Sequence, residues 1–170
     1  VVLSIDGFGD FTSTMWGLGK KNNIEVSDYV TFPHSLGMLY QSITQFLGFL
    51  NYGDEYKVMG LAPYGKNYLK NEFDKILDSD SSGKFKLNLE YFRHQKNNIE
   101  FKWDDGMPIF DQIYDDKIES LLGKKRDKNS NLEKKYFDIA FSTKKKYEEV
   151  FFNLLEKIYQ KTPSENLTIS

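Results

Sequence analysis

The residues best placed to do chemistry stand near the start of the chain, in Asp6-Gly7-Phe8-Gly9-Asp10. Two glycines in a short turn let backbone N–H groups converge on an anion, because no Cβ blocks its approach. The flanking Asp6 and Asp10 carboxylates repel phosphate, so each needs a divalent cation, a hydroxyl or an amine as its partner. Asp-Gly is equally a favoured hairpin dipeptide, and the same five residues read as an ordinary strand-to-strand turn. They are neither a dinucleotide fingerprint, which joins a strand to a helix, nor a P-loop, since no Gly-Lys-Ser/Thr follows. The two histidines, His34 and His94, lie too far apart to make a metal-ligand pair by spacing. His34, beside Pro33, reads as structure at the start of a helix. The absence of cysteine removes disulfides, thiolate metal sites and Cys nucleophiles together.

The elements that must position these groups follow from periodicity. Residues 1–5 are apolar and β-branched, 11–17 are rich in Thr and aromatics, and 24–30 alternate with period two. Joined by tight turns, they make an antiparallel three-strand meander. Beyond Pro33, Leu36, Leu39, Tyr40, Ile43, Leu47 and Leu50 fall on one face of a helix over 36–50. The stretch 53–65 is apolar yet holds three glycines and Pro63, so it reads as a structured loop. A short helix over 67–77 comes next, then alternating runs at 84–92 and 99–103 that pair as a small hairpin, then helical spacing over 108–122. Residues 124–135 are polar and basic, a loop. Tyr147, Val150, Phe151, Leu154, Leu155 and Ile158 form the stripe of a final helix over 138–161, ended by Thr162-Pro163, and 167–170 make a last strand. A strand reached through a helix lies parallel to its neighbour by a right-handed crossover. Three meander strands with a parallel fourth, and helices packed on the sheet, give an α/β fold that matches the opening of a ribonuclease-H-like or actin-like domain.

Charge nearly cancels, at a formal net of −2, which removes the sequence-wide case for a nucleic-acid or membrane-surface binder. Aromatics make up 16% of the chain and supply large side chains for a core. No apolar run reaches membrane-spanning length and no signal segment is present, so the chain reads as soluble and cytoplasmic. Lys124-Lys125-Arg126 and Lys144-Lys145-Lys146 read as solvated charge runs, the first with the option of meeting a phosphate or an acidic partner. The chain opens on Val1 and both ends lie in strands, as expected of a piece of a longer protein.

Three stretches together carry a family resemblance. They are Asp6-Gly7-Phe8-Gly9-Asp10, then Pro33-His34-Ser35-Leu36-Gly37-Met38-Leu39-Tyr40, then Glu55-Tyr56-Lys57-Val58-Met59-Gly60-Leu61-Ala62-Pro63-Tyr64-Gly65. They resemble, in the same order, the VDGxGE-like turn, the PxSLGxxY helix start and the EYKxMGLAPYG loop of the O-carbamoyltransferases. That family acts on nodulation factors, aminoglycosides and cephem antibiotics. Asp138-Ile139-Ala140-Phe141-Ser142 is similar to the family's DIAxS helix. The likeness runs over the whole chain and is weakest at about 66–130, which reads as an insertion in one partial domain covering 1–170.

The resemblance implies an actin-like fold similar to the tRNA threonylcarbamoyl-transfer proteins. It also implies a reaction in which ATP and carbamoyl phosphate yield carbamoyl-adenylate, whose carbamoyl group passes to a hydroxyl of a small-molecule acceptor. The partner implied is the rest of the same polypeptide, including a domain that forms the adenylate; no membrane and no nucleic acid is implied. On this basis the nucleotide-binding residues expected are Asp6, Gly7, Gly9, Asp10, Lys57 and Gly60. Gly7 and Gly9 offer N–H donors, Lys57 a point charge for phosphate, and Gly60 close backbone approach. Lys57 has a plainer reading as a solvent lysine. Asp10 departs from the family's usual Glu. The family's divalent metal is held by histidines upstream of the turn and an Asp downstream of the last strand, so no metal ligand is assigned in this chain. Two alternatives stay open: a non-catalytic binding module that keeps the fold, and a tRNA-modifying carbamoyl-transfer protein.

Overall fold

A computed structural model describes residues 1–96, 99–104 and 106–170. In its main sheet β1 (Val2–Ile5) pairs antiparallel with β2 (Thr12–Lys20), which pairs antiparallel with β3 (Asn23–Thr31). β8 (Thr168–Ile169) lies parallel to β1, Val2 opposite Thr168 and Leu3 opposite Ile169. The four strands thus stand in the order β3-β2-β1-β8. The meander with a parallel fourth strand forms as the sequence patterning requires. The chain is a mixed α/β structure.

The chain folds as two compact units. The first comprises Val1–Met38, Asp78–Leu87 and Tyr147–Ser170. Leu3, Thr14, Trp16 and Val30 bury one face of its sheet, and Leu36, Met38, Phe85, Leu87, Val150, Leu154 and Ile158 are buried with them. The other face leaves Met15 and Tyr29, paired across β2 and β3, exposed. Gly17 sits at a register shift between β2 and β3, where a Cβ would stand 2.2 Å from the Glu25 carbonyl oxygen.

The second unit comprises Leu39–Leu77 and Asn88–Lys146. Its buried side chains include Leu39, Ile43, Phe46, Val58, Phe73, Phe92, Ile113, Ile118 and Ile139. α1 (Leu36–Phe46) and α5 (Lys134–Lys161) each contribute residues to both units.

Several expectations need correction. α1 stops at Phe46 rather than running to Leu50, because Gly48 adopts φ 78°. Its N–H and that of Phe49 then close back on Gln45 and Thr44 carbonyls, a glycine-terminated C-cap. The stretch 53–65 is not a loop: it forms α2 (Glu55–Leu61) and a 3₁₀ turn at Ala62–Tyr64. Pro63 is tolerated there because a first-turn N–H has no helical partner in any case. The short helix expected over 67–77 is α3 (Lys70–Ile76).

The run 84–92 does not pair with 99–103. β5 (Phe85–Leu87) pairs with β4 (Leu77–Ser79), and β6 (Phe101–Asp104) pairs antiparallel with β7 (Met107–Phe110). The helix expected over 108–122 shrinks to a 3₁₀ turn at Asp116–Ile118 and α4 (Glu119–Leu122), because its first residues are taken by β7. Two charge runs are only partly solvated. Arg126 donates to the Leu47 carbonyl at 3.0 Å and to the Ser130 carbonyl at 2.5 Å, with its guanidinium over Phe49. Lys146 is buried and paired with Asp74 at 2.7 Å.

Candidate functional site

The turn between β1 and β2 is built by backbone bonds at both ends. Asp6 N–H donates to the Ser13 carbonyl at 2.8 Å, and Thr12 N–H to the Gly9 carbonyl at 3.0 Å. Gly9 (φ 50°) and Asp10 (φ 57°) are both left-handed, and a Cβ on Gly9 would stand 2.1 Å from the Thr12 carbonyl oxygen. Gly9 is thus fixed by the turn itself. Gly7 is different, since a Cβ there would meet nothing within 4 Å. Its N–H donates to the Asp6 carboxylate at 2.5 Å, and the Asp6 and Asp10 side chains lie exposed.

The start of α1 is set against this turn. Ser35 is the N-cap: its hydroxyl oxygen accepts the Met38 N–H at 3.1 Å, and the same hydroxyl donates to the Asp6 carbonyl at 3.1 Å. A Cβ on Gly37 would stand 2.9 Å from Gly7 Cα, so only glycine allows the approach. Behind them the Ser13 hydroxyl donates to the His34 carbonyl at 2.5 Å, and His34 Nδ1 accepts the Leu87 N–H at 3.2 Å. His34 therefore serves the packing of this unit, as its place beside Pro33 suggests.

Lys57 and Gly60 belong to the other unit, on α2. The Lys57 ammonium pairs at 2.7 Å with Asp54, which is buried, and lies over the rings of Phe49 and Tyr56. Asp54 also accepts the Asn51 N–H at 3.3 Å. Lys57 is therefore held from inside and only about one-third exposed. Gly60 has open space where a Cβ would be, on a face shared with exposed Tyr56 and Met59.

The end of the same stretch is tied down. A Cβ on Gly65 would stand 2.0 Å from the Phe137 carbonyl oxygen, and Lys66 N–H donates to Asp138 at 2.8 Å. Ser35, Gly37, Asp54 and Asp138 thus carry structural duties that spacing alone does not assign. Only Ser35 has a local signal, a serine directly ahead of the apolar helical pattern. Among the described residues, no group of three or more His, Asp or Glu side chains could hold a metal ion. No helix formed by them is long and apolar enough to cross a membrane.

The domain is thus a mixed α/β unit whose first sheet turn is glycine-rich and set against a capped helix start. The sequence model of the family described as "Carbamoyltransferase N-terminus" matches residues 1–170, and the chain belongs to that family. It is 33% identical over 171 residues to the uncharacterized protein sll1178 of a Synechocystis strain, across 99% of this chain and 26% of that protein. It is 44% identical over 85 residues to the nodulation protein NolNO of Sinorhizobium fredii, covering 46% of this chain and 12% of that protein. To the nodulation protein NolO of Bradyrhizobium diazoefficiens it is 38% identical over 96 residues, covering 53% and 16%. The chain spans about a quarter of the length of the first of these relatives and less of the other two.

Proposed function

We propose that the full-length protein is an O-carbamoyltransferase and that this chain supplies part of its transferase domain. In this reading the acceptor hydroxyl oxygen bonds to the carbamoyl carbon of carbamoyl-adenylate. The bond from that carbon to the phosphate oxygen breaks, AMP leaves with the electron pair, and the hydroxyl proton passes to a base or to water. The sheet order with its parallel fourth strand supports an actin-like fold. Family membership supports the reaction class.

The observation that carries the reading is the β1–β2 turn. Gly7 stands open at its Cβ position, which leaves room for the phosphate of an adenylate to approach the backbone, while its N–H is held by the Asp6 carboxylate. Asp6 and Asp10 at its rim meet the nucleotide through hydroxyls or a cation, not through phosphate. Gly9 keeps the turn in shape. On the other unit, Lys57 offers phosphate its remaining ammonium N–H donors, its charge being offset by Asp54, and Gly60 gives bare backbone to an approaching group. A divalent metal, held by residues outside this chain, would supply charge neutralisation as the phosphate departs.

The test uses full-length protein with ATP, carbamoyl phosphate and a divalent metal. Pyrophosphate release should require carbamoyl phosphate, and AMP release should rise when a hydroxyl-bearing acceptor is added. Nucleotide binding with no AMP release under any acceptor would favour the non-catalytic module. Carbamoyl-derived label found on tRNA would favour the tRNA-modifying reading.

A further inference from the structure

The β6–β7 hairpin carries its aromatic residues on one face. Phe101 stands opposite Phe110 and Trp103 opposite Pro108. Residues directly opposite in an antiparallel pair share a face, as do positions two apart on one strand, so Lys102 and Asp104 alternate to the other side. Tyr52 joins the aromatic face: its N–H donates to the Pro108 carbonyl at 3.0 Å, and its ring lies 5.5 Å from that of Phe110. All of these residues belong to the second unit. Trp103 is 70% exposed, Tyr52 59% and Phe101 57%. Single exposed aromatics are ordinary, but a cluster of them on one face marks an interaction surface.

Two observations say what kind of occupant fits. Trp, Tyr and Phe are the side chains that anchor the buried centres of protein interfaces. The rings here are inclined, Phe101 to Phe110 by 49° and Tyr52 to Phe110 by 48°. They make a ridge that interlocks with side chains, not a flat platform for a planar ligand. The relative sll1178 aligns with 99% of this chain through only 26% of its own length. About three-quarters of a polypeptide of that size lies outside residues 1–170, ample for a facing domain. We propose that this aromatic face is an intramolecular docking surface, covered in the full-length protein by polypeptide from outside residues 1–170, with Trp103 as its anchor. The proposal needs the longer polypeptide but neither the nucleotide reading nor the transfer reaction.

Hydroxyl-radical footprinting of the full-length protein, read residue by residue by mass spectrometry, tests it. Trp16 is 5% exposed and shares the chemistry of Trp103, so the ratio of their oxidation rates reports burial directly. Trp103 is expected to lose its reactivity and oxidise as slowly as Trp16. An amine crosslinker is expected to join the neighbouring Lys102 to lysines outside residues 1–170, and Trp103→Asp to abolish those crosslinks while Trp16 stays protected. Trp103 oxidising as fast as in urea-unfolded protein would overturn the proposal, because the face would then be open to solvent. Protection lost on dilution would assign the face to a second copy, and protection seen only with nucleotide or a hydroxyl acceptor would assign it to a ligand. Either overturns it. So would crosslinks from Lys102 confined to residues 1–170, or crosslinks unchanged by Trp103→Asp.

Discussion

Gly60 and Gly65 stand five positions apart in one family motif, yet the structure gives them opposite physics. Alanine at Gly65 puts a Cβ onto the backbone oxygen of Phe137 at 2.0 Å, and neither partner is a side chain that can swing away. Gly65→Ala should therefore lower stability by about 1–3 kcal/mol in thermal or urea unfolding, the usual cost of overpacking. Gly60 has no such neighbour and sits within α2, so Gly60→Ala should raise stability by about 0.5–1 kcal/mol. Under the proposed function the same substitution should weaken nucleotide binding, and unchanged AMP affinity in the full-length protein would remove Gly60 from the site.

Lys57 poses a related question, because Asp54 already claims its charge. Lys57→Ala should cost stability where Lys66→Ala does not, since it leaves a buried carboxylate unpaired. If Lys57 also serves phosphate, AMP affinity falls by about tenfold in Lys57→Ala and not in Lys66→Ala. Equal affinities would leave Lys57 as the counter-charge of Asp54. None of this was legible in the sequence, where Lys57 and Lys66 flank the same glycines alike. A partner three residues upstream declares itself only when a turn and a helix start bring it round.

At the scale of elements, the sheet was legible and the second unit only partly so, for a physical reason. β1, β2 and β3 alternate and are broken by turn residues, so local pattern and long-range pairing agree. β7 was hidden because Ile109 and Ile113 have helical spacing, while its strand character comes from pairing Phe101–Asp104 with Met107–Phe110. α5 was visible by its apolar stripe, but not the burial of one lysine in its run of three. Lys144 and Lys145 are exposed, whereas Lys146 is buried against Asp74. Lys146→Ala should therefore destabilise by about 1.5–3 kcal/mol and Lys145→Ala, at an exposed position, by roughly nothing, as measured by denaturant unfolding.

The same pair sets a pH dependence. The Lys146 ammonium, hydrogen-bonded to Asp74, holds that carboxyl below its ordinary value, and Lys70 adds to the effect against a small opposing cost of burial. A depressed folded pKa means that the unfolded chain binds the proton more readily. The contribution is present above the ordinary carboxylate value and is lost as pH falls through the folded one. Stability measured from neutral pH down into the acid range should fall less steeply in Asp74→Asn than in wild type. Parallel profiles would show that the pair carries no such linkage.

For the molecule as a whole, the six residues assigned to the nucleotide divide between two compact units, four on the β1–β2 turn and two on α2. The described residues bring no three metal-ligating side chains together, and the chain spans only about a quarter of the first relative's length. Carbamoyl transfer requires a polarised carbonyl and a neutralised leaving phosphate, which fixed N–H donors and a cation provide. Loss of a single fixed donor of this kind costs about 10²–10³ in rate, so an incomplete set should leave little. Under the proposed function, the isolated 170-residue chain is therefore expected to release no AMP from carbamoyl-adenylate above the buffer rate, with or without a hydroxyl acceptor, and the full-length protein is expected to do so with one. Chromatographic quantification of AMP over time checks this. Acceptor-dependent release by the isolated chain would mean that it needs no groups supplied from outside it.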